Sequence, residues 1–189
     1  MMSAQDPRNK FKTSDYEQQE QELPGLQSKM TPQPDCGETS YKGHERLKGY
    51  KMLVTGGDSA IGRAAAIAYA KEDADVAINY LPSEEDDAQE VKQVIEDAGQ
   101  KAILIPRDLR DEQFNYDMVE TAYNELGGLD NVTLVAGHQQ YHDDIHGFNT
   151  EAFAETFETN VYPVFWTVQK ALEDLKPGAS ITPPSSVQV

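Results

Sequence analysis

The sequence is poor in several residue types, and each scarcity excludes a class of protein. It has one cysteine, Cys36, among 189 residues, so an internal disulfide is impossible and a reducing, cytoplasmic compartment is predicted. Its apolar runs, such as residues 64–70, are far too short to cross a membrane, and the polar start lacks the apolar segment of a secretory signal. The length and composition predict a soluble protein with one main domain.

Positive charge is also scarce. The chain has 16 Lys and Arg against 33 Asp and Glu, a net charge of −17, and 25 of those acids lie in residues 50–189. Such an acidic body repels phosphate backbones and anionic membranes at long range, so neither nucleic acid nor a membrane is predicted as a partner. One small anionic cofactor remains compatible, because backbone N–H groups at the start of a helix bind phosphate locally.

The segment 1–48 differs in composition and hydrophobic pattern from residues 49–189. It is polar, interrupted by proline and nearly free of apolar periodicity, so it is predicted as a largely irregular N-terminal arm before one domain. One interpretation is a disordered tail. The other is an arm that lies on the body or on a neighbouring subunit, with four candidate anchors: Leu23, Leu26, Met30 and Tyr41.

From Tyr50 onward, short apolar runs alternate with helical patterns. Strands are predicted at 52–54, 76–78, 102–105, 132–136 and 179–182. The second helix is predicted to begin in a capping box of Ser83 and Asp86 and to end before Gly99. The alternation predicts an α/β fold, a three-layer, doubly wound parallel sheet of the Rossmann type.

The last helical pattern is long and aromatic. It is predicted as one helix opened by Thr150 and ended by Gly178, weakened by an interior Pro163. The stripe of Phe153, Phe157 and Phe165 along it is predicted to be core packing.

A glycine turn, Thr55-Gly56-Gly57-Asp58-Ser59-Ala60-Ile61-Gly62, follows the first strand and opens the first helix, where it could cradle a pyrophosphate. It resembles the Thr-Gly-x-x-x-Gly-x-Gly loop of the short-chain dehydrogenase/reductase family. Further family-like motifs follow in order: Asp108-Leu109, Ala136-Gly137, Asn160-Val161 and Ser185-Ser186. The arm and the segment 78–82 resemble the bacterial general-stress-type or uncharacterised oxidoreductases of that family.

The resemblance implies an NAD(P)-dependent oxidoreductase that transfers hydride between the cofactor and an alcohol or carbonyl substrate. It implies that Ser186 and Asn160 are catalytic and that a complete chain can form a family-like homo-oligomer, a tetramer. The implied cofactor-binding residues are Gly56, Asp58, Ser59, Ala60, Ile61, Gly62, Asn79, Tyr80, Asp108, Leu109, Ala136 and Gly137. NADP is slightly favoured over NAD, because residues 79–80 lack the acid that binds a ribose 2′-hydroxyl. Arg107 is either a solvated loop charge or a contact to a cofactor phosphate.

Two departures from the family pattern bear on the predicted activity and on the phosphate turn. No tyrosine is followed by lysine four positions later, although the family uses that pair as its acid/base and ribose contact. The chain therefore looks C-terminally truncated and inactive, with its fold incomplete at that end; the alternative is a non-catalytic remnant or a nucleotide-binding or interaction module. Ala60 stands in place of the middle glycine of the loop, where its Cβ would obstruct a pyrophosphate or require a strained positive φ.

Two clusters of possible metal ligands are interpreted otherwise. The acids at 84–87 favour a solvated helix start, and the histidines of residues 138–146 favour a loop near the substrate mouth. No metal is predicted.

Overall fold

The computed structural model describes residues 6, 18–139 and 144–185. Within them, strands and helices alternate in the order β1 Lys51–Thr55, α1 Ala60–Lys71, β2 Asp75–Tyr80, α2 Glu85–Asp97, β3 Ala102–Pro106, α3 Glu112–Leu126, β4 Asn131–Leu134, α4 Thr150–Asn160, α5 Tyr162–Ala171 and β5 Ser180–Thr182. Short 3₁₀ turns lie at Gln27–Lys29, Pro82–Glu84 and Ile145–Gly147.

The five strands form one parallel sheet in the order β3-β2-β1-β4-β5. The central strand β1 pairs with β2 on one side and β4 on the other, so Val54 lies opposite both Ile78 and Thr133. The strand order reverses between β1 and β4, which creates a crevice at their carboxyl ends. This confirms the predicted α/β fold of the Rossmann type.

Helices cover both faces of the sheet. On one face, α1 and α2 bury Ala66, Val91 and Ile95 against alternate residues of β1 and β2. On the other, α3 and α5 pack Met118 and Ala171 onto Leu53, Val132 and their neighbours. A parallel sheet covered on both faces needs continuously apolar strands, and the short apolar runs of the sequence match that need.

The predicted long helix is wrong. The chain forms α4 and α5, which are separated at Val161, and Pro163 lies in the first turn of α5, where a missing N–H costs no helical hydrogen bond. The predicted core stripe is also wrong, because the side chains of Phe153, Phe157 and Phe165 are between 38% and 63% exposed. The helical period correctly finds an amphipathic face but does not say what covers it.

The predicted cap of the second helix is wrong as well. Ser83 lies inside the 3₁₀ turn, and α2 begins at Glu85. The Glu84 carboxylate, rather than the Ser83 hydroxyl, folds back to accept the N–H of Leu81 at 3.1 Å. Gly99 follows α2 with φ of +84°, as expected for a residue that ends a helix.

The described part of the arm, residues 18–48, lies against α1 and α2. The buried Glu72 carboxylate accepts hydrogen bonds from the Tyr41 hydroxyl, from the backbone N–H groups of His44 and Arg46, and from the Arg46 guanidinium. The Arg46 hydrogen bond is the main reason why the pKa of Glu72 is far below its usual range. Tyr41 is thus an anchor, as predicted, whereas Leu23 and Met30 are not, being 65% and 40% exposed.

Across the described ranges 18–139 and 144–185, none of the helices combines the length and apolar character needed to cross a membrane.

Candidate functional site

A cavity of about 590 Å³ opens at the carboxyl ends of β1, β2, β3 and β4. Of the twelve residues predicted to hold a cofactor, only Gly62 is missing from its walls, which contain Gly56, Asp58, Ser59, Ala60, Ile61, Asn79, Tyr80, Asp108, Leu109, Ala136 and Gly137. The cavity also has a wall that the sequence did not suggest, made by residues 23–25 of the arm.

The turn between β1 and α1 is held by close backbone contacts. Gly56 has φ of +62°, and the Gly57 N–H donates to the carbonyl of Asn79 at 3.0 Å. A Cβ on Gly62 would lie 1.8 Å from the carbonyl oxygen of Gly56, so only glycine fits there. Gly62 therefore lets α1 begin directly against the turn, with its first N–H groups at the cavity.

Ala60 is the strained residue of this turn. Its φ is +45°, a left-handed backbone conformation that is unfavourable for any residue with a Cβ. Its N–H donates to the side-chain Oε1 of Gln27 in the arm at 2.6 Å. Of the two consequences considered for the missing glycine, the structure shows the positive φ.

Two carboxyl groups are buried in the cavity wall beside the turn. Asp58 is 1% exposed, and its Oδ2 has no hydrogen-bond partner within the described residues. Burial raises the pKa of Asp58. Burial, assisted by the charge of Asp58, raises the pKa of Glu84 to about 7, so Glu84 is partly protonated at neutral pH. The acids at 84–87 are thus not simply a solvated helix start.

The ends of β2 and β3 form the side of the cavity beyond the turn. The Asn79 amide donates to the carbonyls of Ile105 at 3.0 Å and Arg107 at 2.9 Å, so it ties β2 to the chain after β3. The Tyr80 hydroxyl donates to Glu85 at 2.7 Å. Both side chains therefore make hydrogen bonds within the protein, and they contribute to the site by shaping the cavity wall.

Arg107 and Arg110 bring positive charge to the same side. Arg107 pairs with Asp111 at 2.9 Å and lies over the ring of Phe114, 5.3 Å from its centre. Arg110 pairs with Asp108 at 2.6 Å. Both arginines line the cavity. The position of Arg107 is therefore compatible with both interpretations, a solvated loop charge and a contact to a cofactor phosphate.

Asn160, at the end of α4, holds the loop that follows β4. Its Oδ1 accepts the N–H of His138 at 2.8 Å, and its Nδ2 donates to the carbonyls of His138 at 2.7 Å and Thr156 at 2.9 Å. The side chain thus positions Gly137 and His138 at the cavity. The other predicted catalytic residue, Ser186, lies outside the described residues, as does His142 of the histidine cluster.

The predictions from sequence left Leu23, Gln27, Glu84 and Arg110 out of the site and placed His138 only in a loop near the substrate mouth. His138 lines the cavity, and its buried Nε2 has no partner within the described part of the chain. Its position directly after Ala136-Gly137 was a usable signal. For Leu23 and Gln27 there was none, because they reach the site from a segment without a recognisable pattern.

A glycine turn that opens a helix at the switch point of a parallel sheet is the arrangement of a Rossmann-type fold. A family model described as short chain dehydrogenase matches residues 51–188. The chain therefore belongs to the short-chain dehydrogenase family, as the resemblance indicated.

Relatives place it beside bacterial oxidoreductases. It is 54% identical over 188 residues to the uncharacterized oxidoreductase YghA of Escherichia coli K12, covering 100% of this chain and 64% of that protein. It is 44% identical over 164 residues to general stress protein 39 of Bacillus subtilis 168, covering 87% and 57%. A short chain dehydrogenase from Burkholderia cenocepacia J2315, solved in complex with NADP, has a TM-score of 0.68 and 36% identity, covering 73% and 56%. The chain spans less than two thirds of these relatives.

The strain at Ala60 leads to a stability prediction. Replacing Ala60→Gly removes the Cβ that disfavours φ of +45°, and we expect the free energy of unfolding to rise by about 1 kcal/mol. Denaturant unfolding measures the change. The matched control is Ala65→Gly in the interior of α1, where the same substitution should lower stability by about 1 kcal/mol. A loss of stability in both variants would contradict the strain.

The buried Glu84 leads to a pH prediction. Its pKa is raised from 4.5 to about 7, so the folded state keeps this proton to higher pH than the unfolded state does. Stability from this group is therefore present below about pH 4.5 and is lost as pH rises toward 7. In Glu84→Gln, the fall in unfolding free energy over that range should shrink by about 2 kcal/mol. Unfolding at several pH values tests this, with the exposed Asp86→Asn as control; identical pH profiles for Glu84→Gln and the wild type would refute it.

Proposed function

We propose that the chain provides the dinucleotide-binding part of an NAD(P)-dependent oxidoreductase that interconverts an alcohol and a carbonyl compound. The observation that carries this proposal is the cavity at the switch point of the sheet, bordered by the start of α1 and its glycine turn. The substrate is proposed to be a small molecule. A cytoplasmic location remains a prediction from the single cysteine.

The residues of the cavity fit a dinucleotide. The first turn of α1 offers the N–H groups of Ile61 and Gly62, which have no carbonyl four residues back within the helix. The absence of side chains at Gly56 and Gly62 lets the turn pack closely against Ala136 and lets α1 begin directly against the turn. The unpartnered Oδ2 of Asp58 is a buried acceptor in the cavity wall, which suits a ligand hydroxyl donor such as a ribose.

When bound, the cofactor would supply the hydride donor or acceptor. The N–H groups at the start of α1 would hold its phosphates, and residues 107–110 would border its adenosine half. Asn160 acts as a positioning residue, because both ends of its amide are used to hold the backbone of His138 beside the cavity. By family resemblance, Ser186 is proposed to hold the substrate oxygen.

NADP is proposed as the preferred cofactor. Two arginines line the cavity, and the partial protonation of Glu84 reduces the repulsion that an additional phosphate would meet. The Burkholderia relative was solved with NADP, and NADPH-dependent aldehyde reductase 1 of Arabidopsis thaliana is 31% identical over 175 residues. Arg107, which emerges from the end of β3, is the proposed contact to the extra phosphate.

Calorimetric titration with both cofactors tests this proposal. The 189-residue polypeptide should bind NADP more tightly than NAD, and Arg107→Gln should weaken NADP binding about tenfold, because a charge-assisted phosphate contact is lost. Its affinity for NAD should be unchanged, and the control Lys101→Gln, at the opposite end of β3, should leave both affinities unchanged. Equal losses for the two cofactors would contradict the role of Arg107.

The same polypeptide should not turn over alcohols or aldehydes, because no Tyr-x-x-x-Lys pair lies within its 189 residues. Taken alone, this stretch is therefore proposed to be a nucleotide-binding module, the second candidate function.

The exposed aromatic face supports the proposal of a homo-oligomer. Large apolar side chains of α4 and α5 are uncovered, namely Phe153, Phe157, Val161, Tyr162, Phe165 and Leu172. An apolar surface of this kind marks an interface, and a second copy of the chain would bury it.

Sedimentation velocity tests the interface. Phe165→Glu places a charge in the middle of this face and should reduce a dimer or tetramer to monomer, because an unpaired charge cannot be buried without a large cost. Thr121→Glu, an equal charge change at an exposed position of α3, should leave the oligomer intact. A wild type that sediments as a monomer would refute the proposed oligomer.

A further inference from the structure

The arm enters the core of the proposed site through one side chain. Gln27 is buried, and its Oε1 accepts the Ala60 N–H at 2.6 Å. Its Nε2 donates to the Sγ of Cys36 at 3.2 Å, and its own N–H donates to Asp87 at 2.7 Å. The next N–H of the arm, that of Ser28, reaches the second oxygen of Asp87 at 3.2 Å. Gln27 is thus fixed from both sides, with its amide oxygen directed at the turn.

This contact replaces the ordinary cap of α1. Ser59 occupies the N-cap position, but its side chain makes no capping hydrogen bond. With φ of +45° at Ala60, the Ala60 N–H is taken by Gln27 instead. An N–H that is satisfied by the arm needs no phosphate, so the bound ligand can use the next two, of Ile61 and Gly62.

Gln27 does not block the cavity. It borders a separate depression of about 280 Å³, together with Arg63 and Glu90, whereas the dinucleotide cavity is lined by Leu23, Pro24 and Gly25. The arm therefore holds the turn from behind with Gln27 and reaches the front of the cavity with residues 23–25.

The position of the arm identifies which half of a dinucleotide it meets. Its contacts to Asp87 on α2 and to Ala60 place it on the side of β2 and β3, away from β4 and β5. Leu23 is 65% exposed, an apolar side chain at the cavity with most of its surface uncovered. The flat face of a base is the apolar part of a nucleotide that could cover it.

We propose that the N-terminal arm is a working part of the nucleotide site. Gln27 positions the phosphate turn by holding the Ala60 N–H, and Leu23 with Pro24 forms an apolar wall against the adenosine half of the ligand. This inference rests on the proposed function, because it names further residues of the same site.

Leu23→Ser tests the wall, and the probes are NADP, adenosine 2′,5′-bisphosphate and nicotinamide mononucleotide. Loss of the apolar contact between Leu23 and the adenine base should weaken the binding of NADP and of the bisphosphate about five- to tenfold. The binding of nicotinamide mononucleotide should be unchanged. Met30→Ser is the matched control, because Met30 is also an exposed apolar residue of the arm but does not line the cavity. If Leu23→Ser and Met30→Ser bind NADP and the bisphosphate with equal affinity, Leu23 does not form part of the nucleotide site.

Gln27→Met tests the positioning role, because methionine fills a similar volume without accepting a hydrogen bond. We expect it to weaken NADP binding about tenfold at a temperature well below the unfolding midpoint. Cys36→Ala, which removes the partner of the Gln27 Nε2 but keeps the Oε1 acceptor, should leave NADP binding nearly unchanged. Unchanged NADP binding in Gln27→Met would overturn this role. If the wild type binds neither NADP nor the bisphosphate, the proposed function itself fails; if the wild type binds and the arm variants bind equally well, only the role of the arm fails.

Discussion

The contact between Gly62 and the carbonyl of Gly56 is the constraint on which the rest of the site depends. Helix α1 can begin directly against the end of β1 only because Gly62 has no side chain, since a Cβ would lie 1.8 Å from that oxygen. The contact fixes the first turn of α1 at the crevice between β1 and β4, where the strand order reverses. Ala60 and Ile61 of that turn then line the cavity, and the ends of β2, β3 and β4 complete its walls.

The electrostatics of the site are local rather than global. The chain carries a net charge of −17, yet its cavity is proposed to hold an anion. The negative charge of the acidic residues near the turn is reduced or compensated within the protein. Asp87 accepts hydrogen bonds from two backbone N–H groups of the arm, and burial keeps Glu84 partly protonated. The N–H groups at the start of α1 and the two arginines would attract a bound anion over a few ångströms. At that distance the local attraction outweighs the screened repulsion from the rest of the acidic chain.

Much of this fold could be predicted from the sequence, because a doubly covered parallel sheet has a local signature: short apolar runs, helices between them, and a glycine turn after the first strand. Most of the predicted cavity-wall residues followed from the family resemblance of that turn and of the motifs after it, whereas the wall made by residues 23–25 did not. The exposure of Phe153 and Phe165 was not predictable in this way, since an amphipathic pattern does not show what covers its apolar face. Nor was the contact of Gln27 with Asp87, a polar pair 60 residues apart that leaves no pattern in either segment.

The most direct test of the central claim is an amide nuclear magnetic resonance titration of the ¹⁵N-labelled chain with NADP. If this turn binds the phosphates, the signals of Ile61 and Gly62 should move most, in the direction expected for new hydrogen bonds to phosphate. The Ala60 signal should move little, because its N–H already donates to Gln27. Saturable shifts elsewhere in the chain, with Ile61 and Gly62 unmoved, would contradict the claim that this turn binds the ligand.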